Sequence, residues 1–279
     1  MDNTISEFVV VGNPIEHSLS PFIHKQFAKQ TGIVHNYSAK LVNKHNLVFF
    51  LNDFFSKSGK GVNITLPFKK EAFLFADQVT NRANIAGSVN TLIKLSNKII
   101  LGDNTDGEGL LYDLRKLNFL KKKDNVLLLG AGGVAYGIMN VLLDLNCSIF
   151  VFNRTFSNAE KLVLHFNKYK KITILKQYEL INFSFDLIIN ATSSGVTGDI
   201  PMISSKVINN TRYCYDMYYT QKREQTPFLS WCLKNGARDV QDGMGMLVAQ
   251  AAASFFLWHR IRPEIEPVIN ILRNTIHSE

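Results

Sequence analysis

The sequence predicts an α/β protein built of two domains. Three observations carry that expectation. The chain has 279 residues, long for one compact domain and comfortable for two. Its N-terminal third alternates short apolar runs with segments of helical spacing, the pattern of a mostly parallel sheet. A second series of the same kind opens near Asn125.

Taken in order, Phe8 to Val11 is an apolar run ending in Gly12-Asn13-Pro14, a strand entering a turn. Ser20-Pro21 reads as a helix start, with Ser at the cap and Pro at the first position. Phe22, Ile23, Phe27 and Ala28 follow at helical spacing. Gly61 to Leu66 reads as a strand closed by Pro67, and Lys69 to Ala76 resumes a helical pattern. In the second series, Val126 to Leu129 is an unbroken apolar run of the kind buried in a parallel sheet. A glycine-rich turn, a helix over Ala135 to Leu145 and a strand over Ser148 to Phe152 follow. Phe185 to Ile189 and Tyr213 to Asp216 read as further strands, and Met244 to Trp258 as a buried apolar helix. No internal repeat or low-complexity linker interrupts the chain.

Composition narrows the function classes. A hydrophobic fraction of 46% supports a real core and argues against disorder. No apolar run approaches the ~20 residues of a membrane-spanning helix. Met1 to Glu7 lacks the basic start and apolar stretch of a secretory signal, so a cytoplasmic protein is expected. Cys147, Cys214 and Cys232 are odd in number and widely spaced, which fits neither a disulfide framework nor a metal site; buried thiols explain them. The net charge of +8 is spread along the chain, and Lys121 to Lys123 reads as a solvated turn between apolar segments. Nucleic acid is therefore not the expected partner, although the excess charge favours anionic ligands.

The turn after Val126 to Leu129 reads Gly130-Ala131-Gly132-Gly133-Val134-Ala135, a G-x-G-x-x-A pattern between a strand and a helix. Gly130 permits the tight turn, Gly132 lets backbone approach a pyrophosphate, and Ala135 allows close packing of helix on strand. The helix N-terminus then offers N–H groups and a positive dipole to the phosphates. About twenty residues beyond such glycines, NAD enzymes place an acid on the ribose hydroxyls. Here that point carries Asn153-Arg154-Thr155. A guanidinium and a hydroxyl suit a 2′-phosphate, which an acid would repel, so NADP is the expected cofactor.

Lys69, after Asn63-Ile64-Thr65-Leu66-Pro67-Phe68, and Asp106, in Gly102-Asp103-Asn104-Thr105-Asp106-Gly107, are each ambiguous alone. A lysine opening a helix is commonly solvated, and an Asp before Gly commonly forms a turn. In company, these segments resemble the shikimate dehydrogenases, which interconvert 3-dehydroshikimate and shikimate with NADP(H) in aromatic amino-acid (chorismate) biosynthesis. The resemblance also rests on His17-Ser18-Leu19-Ser20-Pro21, Gly87-Ser88-Val89-Asn90-Thr91, Asn190-Ala191-Thr192, Tyr215-Asp216-Met217-Tyr218-Tyr219 and Asp242-Gly243-Met244-Gly245, running on to Gln250.

The resemblance implies several roles. Ser18 and Ser20 hold the substrate carboxylate, with Tyr219 nearby, while Thr65, Lys69, Asn90, Asp106 and Gln250 surround the ring hydroxyls. Lys69 and Asp106 are the pair for proton transfer at the reacting oxygen, and which of them is the formal base is left open. Gly130, Ala131, Gly132, Gly133, Val134, Asn153, Arg154 and Thr155 match the NADP positions, and Met217 and Gly243 those near the nicotinamide. Asn158 departs from the family, which often carries a second Arg there, and so leaves Arg154 with less help. The implied fold joins an N-terminal substrate domain (1–105) to a Rossmann-type NADP domain (106–242), with the active site in the cleft between them. Residues 243–279 return as helices to the first domain. No metal is implied, and monomer and homodimer both stay open.

The nearest alternative is a quinate/shikimate dehydrogenase of broader substrate or cofactor choice, against which Ser18, Ser20 and Thr65 together favour shikimate. A lysine-using folate dehydrogenase would have no use for the two serines. A non-catalytic NADP sensor would keep the glycine turn but have no reason to retain Lys69 with Asp106.

Overall fold

A computed structural model describes residues 6–278 apart from 97, 170 and 222. The chain divides into two compact units. The first comprises Met1–Gly109 and Val248–Asn270, the second Leu110–Leu247 and Ile271–Glu279.

The first unit is built on strands β1 (Glu7–Gly12), β2 (Asn36–Leu41), β3 (Gly59–Ile64), β4 (Gln78–Val79), β5 (Thr91–Lys94) and β6 (Ile100–Asp103). They form one sheet in the order β2-β1-β3-β5-β6-β4. Phe8 to Val11 are buried on both faces because β1 lies between β2 and β3, parallel to each. The alternation of strand and helix is carried by α1 (Ser20–Thr31), α2 (Leu47–Ser56), α3 (Lys69–Phe75) and α4 (Asn81–Ala86). One detail departs from expectation. The cap of α1 is Leu19, with no side-chain capping bond, and Ser20 is already the first helical residue, followed by Pro21. The sheet is mixed, since β5 runs antiparallel to both β3 and β6. That reversal brings the start of β5 to the same sheet edge as the ends of β3 and β6. Asn63, Thr91 and Asp103 thereby fall side by side in register. Val9, Val11, Leu47, Leu51, Val62, Phe68 and Leu92 form the core against which α2 and α3 pack.

Helix α5 (Asp106–Lys116) leads into the second unit. Its strands β7 (Asn125–Leu129), β8 (Ser148–Phe152), β9 (Ile172–Ile174), β10 (Leu187–Asn190), β11 (Tyr213–Asp216) and β12 (Asp239–Asp242) are ordered β12-β11-β10-β7-β8-β9, every pair parallel. This is the doubly wound arrangement, whose strand order reverses direction between β7 and β10. Ligands of such sheets bind outside the carboxyl ends of the strands at that switch. The connecting helices are α6 (Gly133–Asp144), α7 (Phe156–His165), α8 (Ser194–Thr197), α9 (Ser205–Asn209) and α10 (Pro227–Lys234). Val126 through Leu129 are fully buried, as the apolar run predicts. Helix α11 (Met244–His259), which ends in the first unit, is apolar on nearly every face and buries Val248, Ala251 and Phe255. The last helix is α12 (Glu266–Ser278). No helix of the described residues is long and apolar enough to cross a membrane. All three cysteines are free and buried.

Candidate active site

In the first unit the loops after β1, β3 and β6 and the residue before β5 meet at one sheet edge. Lys69 opens α3 and Asp106 opens α5, and both are buried. Lys69 Nζ donates to Asp106 Oδ2 at 2.5 Å, a charge-assisted bond between side chains 9% and 6% exposed. Asn90 Nδ2 donates to Asp106 Oδ1 at 2.8 Å and to Thr105 Oγ1 at 2.9 Å. The orientation of the Asn90 amide is fixed, because the Thr105 backbone N–H donates to its Oδ1 at 2.9 Å. Both oxygens of Asp106 therefore act as acceptors.

Behind this pair lies a polar layer. Asn63 Nδ2 donates towards Ser254 Oγ (3.0 Å), Thr91 Oγ1 (3.1 Å) and the Asn90 carbonyl (3.3 Å), and Tyr37 OH donates to Asn63 Oδ1 at 2.7 Å. Gln250 on α11 approaches Asn90 and Thr105 at 3.5 Å through its Oε1. Asn104 Oδ1 accepts the Asp106 N–H at 3.1 Å, while its Nδ2 donates to Ser88, so the first turn of α5 is held in place. Ser20 opens α1 and Ser18 lies two residues before it; the Ser20 N–H donates to Ser18 Oγ at 3.3 Å. Thr65 donates its N–H to the Val11 carbonyl at 2.9 Å. Gly12 is required beside it, since a Cβ there would collide with Thr65 Cγ2. Tyr219 belongs to the second unit, its ring stacked on Tyr218.

In the second unit the glycine turn follows β7. Gly130 has φ +103°, open to glycine and strained for other residues, and a Cβ on it would come 2.9 Å from the Ala191 carbonyl. Gly132 and Gly133 face open space, with no atom within 4 Å of where a Cβ would stand, and Gly132 caps α6 without a side-chain bond. The first N–H groups of α6, next to Val134, therefore lack any capping side chain, as a pyrophosphate site needs. Arg154 and Thr155 are exposed between β8 and α7, and no residue from Asn153 to Asn158 is acidic. Arg154 makes no ion pair among the described residues. Asn153 uses its amide within the loops, accepting the Ala131 N–H at 3.0 Å and donating to the Thr155 carbonyl at 2.7 Å. Gly243 packs so tightly on Met217 that a Cβ would collide with the Met217 carbonyl oxygen. These residues fit a dinucleotide with a phosphorylated ribose.

Each unit also holds buried ionisable groups. Burial raises the Asp216 carboxyl to about 6 and pushes Asp113 upward too, although Tyr215 OH donates to Asp113 at 2.7 Å. Burial also pushes Tyr37 well above the usual phenol value. Of the hubs of this polar layer, Asn63 and Thr105 lie inside sequence motifs, whereas Tyr37 and Ser254 lie in none. Their partners lie up to 191 residues away: the register of β3 with β5 sets Asn63 beside Thr91, and helix α11 brings in Ser254.

Known proteins share this architecture. A family model for the shikimate dehydrogenase substrate-binding domain matches residues 10–92. One for shikimate/quinate 5-dehydrogenase matches 114–209, and one for the shikimate 5′-dehydrogenase C-terminal domain matches 243–273. The crystal structure of the Ael1 enzyme of Pseudomonas putida is 36% identical and superposes with a TM-score of 0.87, covering 96% of this chain and 98% of that one. The shikimate 5-dehydrogenase of Thermus thermophilus, in complex with NADP(H) and shikimate, is 28% identical with a TM-score of 0.85, over 97% of this chain and 99% of that one. The Listeria monocytogenes enzyme, in complex with shikimate and NAD, is 25% identical with a TM-score of 0.83, over 96% of each chain. The chain belongs to the shikimate dehydrogenase family of NADP-dependent oxidoreductases.

Proposed function

We propose that the protein is a shikimate dehydrogenase that reversibly reduces 3-dehydroshikimate to shikimate in chorismate biosynthesis, with Lys69 and Asp106 handling the proton. The observation that carries this reading is the buried 2.5 Å contact between Lys69 and Asp106, held from the far side by Asn90. When bound, NADP(H) supplies or accepts the hydride. Ser18 and Ser20 hold the substrate carboxylate, and Thr65, Asn90 and Gln250 take the ring hydroxyls. As a ketone is reduced, negative charge develops on its oxygen, and the Lys69 ammonium stabilises that charge and donates the proton. Asp106 orients Lys69 and keeps the pair neutral overall. In oxidation the hydroxyl proton passes to the same pair. Gly130 to Val134 take the pyrophosphate, Arg154 and Thr155 the 2′-phosphate, and Met217 and Gly243 the nicotinamide end. The biosynthetic role carries with it a cytoplasmic location and a small-molecule substrate.

A quinate/shikimate dehydrogenase of broader substrate or cofactor choice is the second reading, and Asn158 bears on its cofactor part alone. Arg154 stands without the second Arg that the family often carries there, so NAD would compete better, while NADP stays preferred because no acid has taken that place. One assay separates the two: NADPH formation at 340 nm from shikimate and NADP+, with quinate and NAD+ in parallel. Turnover confined to shikimate with NADP+ supports the first reading, and comparable rates with quinate or NAD+ support the second. Lys69→Ala is expected to lower kcat by about 10²- to 10⁴-fold. A variant with unchanged kcat would remove Lys69 from the chemistry.

A further inference from the structure

Asp216 closes β11 and is fully buried, yet it has no part in the reaction outlined above. Its oxygens accept three hydrogen bonds: from Asn190 Nδ2 (3.0 Å) and the Tyr218 N–H (3.2 Å) on Oδ1, and from Thr226 Oγ1 (2.6 Å) on Oδ2. Each donor fixes a different segment. Asn190 ends β10, and its own Oδ1 accepts the N–H (3.1 Å) and hydroxyl (2.7 Å) of Thr192. The glycine turn packs on that segment, with Ala191 O and Thr192 Cγ2 at 2.9 and 3.1 Å from a Gly130 Cβ position. The Tyr218 N–H ties down residues 217–219, which are secured further by Met217 N–H to Asn190 O (2.9 Å) and Gly243 N–H to Tyr218 O (3.2 Å). Thr226 caps α10 by accepting the Leu229 N–H. One carboxylate thus joins the glycine turn, the 217–219 segment and the turn at Gly243.

We propose that Asp216 is a positioning residue of the NADP(H) site, holding the segments at both ends of the cofactor in binding geometry through Asn190, Tyr218 and Thr226. The inference rests on the cofactor reading given above. Two of the partners, the Asn190 NH₂ and the Tyr218 N–H, can only donate, and the Thr226 hydroxyl donates while its oxygen accepts the Leu229 N–H. An amide in place of the acid accepts on one atom only, and its NH₂ forces the Thr226 hydroxyl to reverse and competes with the Leu229 N–H for the same oxygen. Protonation has a similar effect. The ionisable groups around the carboxyl are Asp242 on β12, itself paired with Arg273 of α12 at 3.0 Å, and the thiols of Cys214 on β11 and Cys232 on α10. Burial, with a smaller push from Asp242, places the Asp216 titration at about 6.

The test compares the wild type with Asp216→Asn and the milder Thr226→Val. The readouts are Kd for NADP+ by calorimetry, KM for each substrate, and the pH dependence of NADP+ affinity. For Asp216→Asn, Kd and KM for NADP+ are expected to rise about tenfold. KM for shikimate should rise less than KM for NADP+, since of its expected contacts only Tyr219 lies on a tethered segment, and Thr226→Val should move NADP+ affinity about threefold in the same direction. Wild-type affinity should weaken below pH ~6 more steeply than that of Asp216→Asn. The cofactor's 2′-phosphate also takes up a proton near ~6, but it does so equally in both proteins. A folded Asp216→Asn protein with unchanged NADP+ affinity and a superimposable pH profile would overturn the proposal while leaving the cofactor reading intact. A wild type that binds no NADP+ would overturn the cofactor reading, and this proposal with it.

Discussion

Asn63 is buried on β3, with its amide turned towards Ser254, Thr91 and the Asn90 carbonyl while Tyr37 donates to its oxygen. Asn63→Leu keeps the volume but leaves the Tyr37, Thr91 and Ser254 hydroxyls short of a partner. A loss of about 3 kcal/mol is expected, read as a lower urea midpoint at unchanged slope. An unchanged midpoint would show that the layer re-pairs or is wet. Gly130→Ala probes the other unit, because its methyl meets the Ala191 carbonyl at 2.9 Å and φ is +103°. KM for NADP+ should rise at least about tenfold with KM for shikimate little changed, and equal changes in both would count against a local effect. At this scale legibility follows sequence distance. Lys69, Asp106 and the glycine turn each sit inside a contiguous motif, whereas Tyr37 and Ser254 lie in no motif and acquire their importance from partners that only the fold supplies.

Helix α1, the approach to strand β2 and helix α11 are joined by three imidazoles: His24 Nδ1 lies 3.2 Å from His35 Nε2, and His35 Nδ1 lies 2.9 Å from His259 Nε2. The ring of His24 also stacks on Tyr37 with centroids 4.0 Å apart, while its Nε2 has no partner among the described residues. Burial lowers all three values, His24 furthest and His35 to about 3, with neighbouring imidazoles adding to the effect on those two. An imidazole whose folded value lies below its unfolded value contributes stability that is present above the unfolded pKa and lost as pH falls. The protein should therefore lose stability from about pH 6.5 downward, with His35 alone accounting for roughly 5 kcal/mol by full protonation. Asp216, raised to about 6, works in the opposite sense, its contribution being present at low pH and lost as pH rises through 6. His35→Phe should flatten the acid limb of a pH–Tm curve, and a limb as steep as the wild type's would remove the histidines as its cause. At the element scale the parallel strands were legible because Val9 to Val11 and Val126 to Leu129 are continuous apolar runs. The reversed pair β5 and β6 was not. Each strand has four residues, and the turn between them carries no Asn-Gly or Asp-Gly signal.

Across the whole molecule the chain carries a net charge of +8 without a concentrated basic patch in its sequence, while the proposed substrate and cofactor are both anions. Charge of that kind raises the encounter rate with small anions and is screened by salt, with a Debye length of about 10 Å at 0.1 M. Two contributions are then separable. The diffuse one acts on shikimate and NADP+ alike, whereas the local one acts only on the 2′-phosphate through Arg154, which is exposed and without an ion-pair partner among the described residues. Between about 10 and 300 mM salt, kcat should hold while kcat/KM falls for both substrates, and more for NADP+, which bears more charge. Arg154→Gln should leave the shikimate dependence in place and remove most of the excess slope for NADP+. It should also bring NADP+ and NAD+ closer by about tenfold or more, since one charge-assisted bidentate contact is worth roughly 1.5 to 3 kcal/mol. The selectivity of the enzyme would then rest on a single guanidinium set in a weakly attractive field. An Arg154→Gln variant that kept both its salt slope and its preference for NADP+ would instead place 2′-phosphate recognition elsewhere, with Thr155 and Asn158 the next positions to vary.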